Sequence, residues 1–386
     1  MNPLLELLAG RGHTDSLTLR AALALLRGMG NLYGGWMQQR ARLYQRQRFA
    51  SYQAPCPVIS VGNLSVGGTG KTPMVLWLAR HLTQQLAQPL AIVSRGYGTP
   101  PTTQAGLPAG ITLVADGRGL RLRPPQAADE AALLAHHLPQ TAILTGSRRD
   151  RLIDYACRQL GCRLILMDDG FQHLRVRRDL DLVLLDARHP FGNGALLPGG
   201  ILREAPRALQ RADAIVFTRC PDEACYRQAR QLLLPWLADK PLYWTDHRPS
   251  AWQAAGDNST YPLDTLRHTP VLAFCGIARP DSFAHLLQES GCKTLSLRSF
   301  PDHFPFNRQT LLDLQAQAAR MQALAMVCTE KDAVKIDPAW LDAAGLPLFA
   351  LRMALHWPQQ PEWLLQRVAA LAAQATPRDA APHPPA

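Results

Sequence analysis

Ser65-Val66-Gly67-Gly68-Thr69-Gly70-Lys71-Thr72 follows directly on an apolar, β-prone run, Pro57–Val61, and opens a stretch with helical patterning. A glycine-rich turn between strand and helix lets backbone N–H groups close around phosphate oxygens, and the helix dipole favours their charge. In such a loop Lys71 is expected to reach the β- and γ-phosphates of ATP, and Thr72 to ligate Mg²⁺. Ser65 stands where the usual motif has its first glycine, so a strict pattern fails. Strand, loop and Gly-Lys-Thr nonetheless agree, which weighs against a mere glycine-rich turn.

Outward from the loop, short apolar runs alternate with helical stretches. Strands are predicted at Pro57–Val61, Leu90–Ser94, Ala142–Thr145, Leu164–Met167, Leu182–Asp186 and Ala214–Thr218, with helices at about 72–86, 127–138, 148–160 and 222–234. This alternation implies an α/β fold with a mainly parallel sheet covered by helices. Ligands of such sheets sit at the carboxyl ends of the strands. Residues 246–269 are polar and broken by Pro249, Gly256 and Pro262, which marks a domain junction. A second, smaller α/β set follows, with strands Val271–Cys275, Leu295–Ser299, Ala325–Thr329 and Leu348–Leu351 and helices near 281–290, 307–322 and 360–373. The domains expected are therefore 51–245 and 246–373, preceded by a helical segment 1–50 and followed by a disordered Ala/Pro-rich tail, 374–386.

Bulk properties agree. A chain of 386 residues exceeds what one core usually supports, and 47% hydrophobic with 18% charged residues is ordinary for a globular protein. The net charge of +11 favours an anionic partner: nucleotide, nucleic acid or an anionic membrane surface. No helix clusters Lys and Arg on one face and no aromatic residues interleave with them, which argues against nucleic acid. The eight cysteines form no Cys-x-x-Cys pair and no His cluster has zinc spacing, so reduced thiols in a cytosolic protein are the simplest account. Glu6, Arg11, Asp15, Arg20 and Arg27 interrupt every N-terminal apolar run, so neither a signal peptide nor a membrane span is expected. Leucines 17, 19, 23, 25 and 26 beside Arg40, Arg42, Arg46 and Arg48 give segment 1–50 the mixture of a membrane-surface helix, although a helix packed on protein would look the same.

Leu164-Ile165-Leu166-Met167-Asp168-Asp169 is an apolar strand ending in acid, which supplies the further metal contact of a phosphate-binding loop at Asp168 and Asp169. The acidic pair continues as Gly170-Phe171-Gln172-His173. With Ser94-Arg95-Gly96-Tyr97-Gly98 and the Ser65–Pro73 loop, it resembles the tetraacyldisaccharide 4′-kinases of lipid A biosynthesis. Gly192-Asn193-Gly194 through Leu202-Arg203-Glu204, Phe274-Cys275-Gly276-Ile277, Asp302-His303-Phe304 and Thr329-Glu330-Lys331-Asp332 follow in the family's order, so the resemblance spans about 57 to 335.

That resemblance implies two α/β/α domains, the first a P-loop sandwich and the second smaller, joined by a two-stranded linker, so that the last helix packs back on the first domain. It implies transfer of the γ-phosphate of MgATP to the 4′-hydroxyl of a tetraacyldisaccharide 1-phosphate, giving lipid IVA. It also implies a peripheral protein on the cytosolic face of the Gram-negative inner membrane. By motif, Lys71, Arg95 and Asp169 are catalytic candidates, Ser65 to Thr72 hold the nucleotide, and Thr72, Asp168 and Asp169 hold metal. Asp129 matches the family's general base and His303 its partner, while Tyr97, Gln172, His173 and Glu204 line the substrate cleft. The family reads Gly-Asp-Glu-Pro where this chain has Ala128-Asp129-Glu130-Ala131.

Each residue has a plainer rival. Asp129 suits a helix N-cap, His303 a loop histidine bonded to backbone, Arg95 a loop brace and Glu330-Lys331 a surface ion pair. The rival function is a membrane-associated P-loop ATPase or GTPase switch. Thr329-Glu330-Lys331-Asp332 lacks the Asn of a guanine-reading Asn-Lys-x-Asp, which disfavours a GTPase. No protein partner is indicated.

Overall fold

A computed structural model describes residues 16–85, 89–96, 104–237, 239–341 and 345–374. The chain divides into two compact units. One comprises residues 1–95, 144–246 and 355–386, the other 96–143 and 247–354. Two parallel-dominated sheets with flanking helices make the fold mixed α/β.

In the first unit six strands lie side by side in the order Leu90–Ser94, Leu164–Asp168, Val58–Asn63, Leu180–Asp186, Ala214–Thr218, Leu242–Trp244, all neighbouring pairs being parallel. Val58–Asn63 is buried at every position, as in a parallel strand covered on both faces. Its register sets Val61 beside Asp168, so the acid ending one strand lies one strand over from the glycine loop ending the other. The helix Lys71–Gln85 starts at the loop, and the C-terminal helix Glu362–Ala373 packs against it, with Trp77 and Trp357 ring to ring at 4.8 Å.

A single helix, Leu17–Gln45, forms most of the N-terminal segment. Gly30, Gly34, Met37 and Ala41 recur at helical spacing and are buried, Gly34 against the Leu196 side chain. On the other side Leu25, Leu32 and Trp36 are 70%, 79% and 61% exposed, and Met29 is exposed with them. No helix of the described residues is long and apolar enough to cross a membrane.

In the second unit the strand order is Thr260–Tyr261, Asp246–Ala254, Leu348–His356, Ala325–Thr329, Pro270–Cys275, Lys293–Ser299. Alternation along the strands sends Leu272, Phe274, Met326 and Cys328 to a core with Leu311 and Leu314 of helix Arg308–Arg320. Val271, Ala273, Cys275 and Val327 go to a second core with Trp252 and with Phe283 and Leu287 of helix Pro280–Glu289.

The division between the units falls at the start of the polar stretch 246–269, but the stretch is not an unstructured linker. Nine of its residues form the strand Asp246–Ala254, with Pro249 inside it and Trp252 fully buried. That strand pairs with Thr260–Tyr261 on one side and with Leu348–His356, about a hundred residues on, on the other, and Ala255 N donates to Leu348 O at 2.9 Å. Strands Thr112–Asp116 and Leu242–Trp244 were likewise not expected. Residues 96–143 group with 247–354 because the helix Asp129–His137 packs on the turn Glu330–Ala333.

Candidate active site

The phosphate-binding loop is pinned from below. Buried Asn63 donates through Nδ2 to Thr69 Oγ1 at 2.8 Å, and Thr218 Oγ1 donates to Thr69 O at 2.9 Å. Ser65 is buried, and next to it Val66 N donates to Ile201 O at 2.8 Å. Gly67 and Gly70 have φ of +106° and +82°, left-handed values that a side chain disfavours, so the glycines are what let the loop curl. Val66 and Gly67 are exposed, as is Gly68, whereas Thr72 is buried in the first turn of the helix.

Lys71 Nζ lies 3.4 Å from Asp169 Oδ1. Arg203 Nη1 donates to both oxygens of Asp169, at 2.9 and 2.7 Å. Burial alone would push the Asp169 carboxyl up, but the Lys71 ammonium and the Arg203 guanidinium hold it below the ordinary value. Asp169 adopts φ +55°, the turn that aims its carboxylate back at the loop, while Asp168 ends its strand almost fully buried. Thr72 and Asp168 thus contribute a hydroxyl and a carboxylate, the hard oxygen donors that Mg²⁺ takes.

The other candidates of this unit separate by role. Arg95 is exposed just past strand Leu90–Ser94. Gln172 is a brace, its Nε2 donating to Asn63 O at 2.9 Å. His173 is held down to about pH 4 by burial first and by the Arg149 guanidinium second, so it is neutral at physiological pH. Glu204 is buried in an ion pair with Arg211 at 2.9 Å, and Arg211 lies over the Phe171 ring. Tyr97 lies outside the described residues.

In the second unit Asp129 is the first residue of helix Asp129–His137, and Ala128 takes the N-cap position, which removes the capping explanation. His303 Nδ1 meets Asp129 Oδ2 at 2.9 Å. The loop histidine therefore bonds a carboxylate, and its φ of +60° is a strained value of the kind found at functional positions. Glu330 and Lys331 do not pair with each other. Glu330 holds His137 at 2.8 Å, and Lys331 holds Glu130 at 3.2 Å.

Sequence reasoning passed over three cations. Arg203 lay inside a quoted motif but was given no role. Arg219 follows the strand Ala214–Thr218, pairs with Asp186 at 2.8 Å and would lie 3.6 Å from a Cβ on Gly68, so it stands beside the phosphate loop. Its position at a strand's carboxyl end was a usable signal. Lys335, 3.1 Å from Asp129 Oδ2, had no signal beyond its nearness to the Thr329–Asp332 motif.

A glycine loop with Lys-Thr at a helix start, and acids at the end of the neighbouring strand, are the apparatus of a nucleotide-dependent phosphoryl-transfer enzyme. A family model described as Tetraacyldisaccharide-1-P 4'-kinase matches residues 22–370, and the chain belongs to that family. A relative named tetraacyldisaccharide 4'-kinase from Desulfotalea psychrophila is 39% identical over 329 residues, covering 84% of this chain and 90% of its own length. One of the same name from Syntrophotalea carbinolica is 40% identical over 334 residues, covering 86% and 87%. Among solved structures, an "apo" form LpxK from Aquifex aeolicus in complex with ATP matches with a TM-score of 0.73 at 28% identity, over 91% of this chain and 99% of that one. The switch reading is not favoured.

Proposed function

We propose that the protein transfers the γ-phosphate of ATP to the 4′-hydroxyl of a tetraacyldisaccharide 1-phosphate, giving lipid IVA, with Asp129 as the general base. The observation that carries this reading is the Asp129–His303 hydrogen bond of 2.9 Å, which presents a held carboxylate of the kind an alcohol acceptor needs. The acceptor oxygen bonds to the γ-phosphorus as the bond to the β,γ-bridging oxygen breaks, and the hydroxyl proton passes to Asp129. His303 orients that carboxylate. Lys71 neutralises charge developing on the phosphoryl oxygens, with Arg95 a further candidate for the same task. The phosphate-binding loop belongs to one unit and Asp129 to the other.

Mg²⁺ fits the oxygen donors Thr72 and Asp168. When bound it would neutralise charge developing on the transferred phosphoryl group. Asp169 is the weaker candidate ligand, because its carboxylate already faces Lys71 and Arg203. The first unit reads as a P-loop α/β/α sandwich.

The exposed stripe Leu25, Met29, Leu32 and Trp36 supports a peripheral position on the cytosolic face of the inner membrane. Its spacing sets four large apolar side chains on one line, and Arg20, Arg27 and Arg42 near it favour anionic headgroups. Of the leucines that suggested a membrane-surface helix, Leu25 lies on this stripe, whereas Leu23 and Leu26 are half-buried.

The direct test is ATP consumption with and without acylated disaccharide 1-phosphate, followed by mass spectrometry of the lipid. A kinase needs the lipid and adds one phosphate to it. Equal ATP consumption without lipid would favour a hydrolytic switch.

A further inference from the structure

Lys335 is a buried lysine between two carboxylates. Its Nζ is 3.1 Å from Asp332 Oδ1 and 3.1 Å from Asp129 Oδ2, with its side chain only 4% exposed. A buried ammonium is costly unless paired, and Asp332 alone would pair it. Asp332 is itself fixed: Gly276 N donates to its Oδ2 at 3.0 Å and Thr329 Oγ1 at 2.6 Å. The second contact, to Asp129, is therefore more than the local fold requires. It ties a carboxylate on one helix to an anchor in the Thr329–Asp332 motif.

The consequence lies in how the two oxygens of Asp129 are used. Lys335 and His303 both engage Oδ2, at 3.1 and 2.9 Å, while Oδ1 makes no hydrogen bond among the described residues. Two donors on one oxygen fix the rotation of the carboxylate and leave the other oxygen to take a proton. We propose that Lys335 is a positioning residue for phosphoryl transfer, which together with Asp332 locks the Asp129 carboxylate in one orientation. This rests on reading Asp129 as the base. The other charged groups at the cluster are Asp302, 3.9 Å from His303 Nε2, and the Glu130–Lys331 pair.

The test compares wild type, Lys335→Met, Lys335→Met with Asp332→Asn, Lys335→Arg and Asp129→Ala in full-length protein. The paired substitution guards against a fold lost merely because Asp332 is buried alone. The readouts are kcat and KM for the lipid, ATP affinity and thermal melting. The proposal expects the folded neutral variants to lose about ten- to a hundredfold in kcat, the scale of a displaced catalytic group. KM for the lipid should change much less than kcat, because the variants misplace the base and leave the substrate contacts in place. ATP affinity should stay within about threefold, and Lys335→Arg should restore part of the rate. Folded neutral variants with wild-type kcat would overturn the proposal while leaving the base in place, provided Asp129→Ala is inactive. Full activity in Asp129→Ala would overturn the base assignment instead, and this proposal with it. Failure of both neutral variants to fold would assign Lys335 to the fold and also overturn it.

Discussion

His303 Nδ1 and Asp129 Oδ2 are 2.9 Å apart although 174 positions separate them in the chain. Asp129 opens a helix in the segment 96–143, and His303 lies in a loop after strand Lys293–Ser299. The same unit contains both, so the pair is assembled by the folding of that unit alone.

Lys71→Ala removes the cation that faces the β- and γ-phosphates in the proposed complex. It also leaves Asp169 with Arg203 as its remaining cationic partner. Steady-state assays should show kcat lowered by ~10²-fold or more, the scale of losing one preorganised charge-stabilising group. Melting should change little, since Lys71 contributes no packing to the core. Near-wild-type turnover would remove the loop assignment.

The exposed stripe yields a localisation test. Replacing Leu25, Leu32 and Trp36 with Asp should abolish flotation with vesicles containing anionic phospholipid, because each large apolar side chain taken from water stabilises binding by roughly 1.5–3 kcal/mol. Activity on detergent-dispersed lipid should fall much less. Vesicle binding equal to wild type would leave the stripe without a membrane role.

His173 makes stability depend on pH in a defined direction. Its folded value is lowered from 6.5 to about 4, so between those values the unfolded chain binds a proton that the folded chain refuses. Stability should therefore fall as pH drops from about 6.5 towards 4, by an amount on the order of 3 kcal/mol over the full interval. Urea unfolding of wild type and His173→Gln across that range checks this. The variant should show a shallower slope, and identical slopes would exclude His173 as the group responsible.

Much of this was legible because it is local. The strand–loop–helix sequence from Val58 to Gln85 needs no distant partner, and Leu90–Ser94, Ala142–Thr145 and Ala214–Thr218 carry their own apolar pattern. What the pattern could not supply was pairing at long range. Asp246–Ala254 is polar and contains Pro249, and it becomes a strand through pairing with Thr260–Tyr261 on one side and the distant Leu348–His356 on the other. The N-terminal helix shows two apolar lines, and which is covered depends on Leu196, far along the chain. Lys335 illustrates the same limit at the site: its partner Asp332 is three residues away, but Asp129 is reached only through the fold.

The central claim is that Asp129 and His303 act as one unit in removing the acceptor's proton. General-base assistance contributes typically ~10²–10⁴-fold, so Asp129→Ala and His303→Ala should each lower kcat strongly while KM for ATP stays within a few-fold. Groups that work together lose non-additively. The deciding measurement is therefore kcat for the two single variants and the double variant, at saturating ATP and lipid. The account predicts a double variant scarcely slower than Asp129→Ala alone. Losses that multiply in full would show two independent residues and contradict it, and near-normal kcat in Asp129→Ala would remove the base altogether.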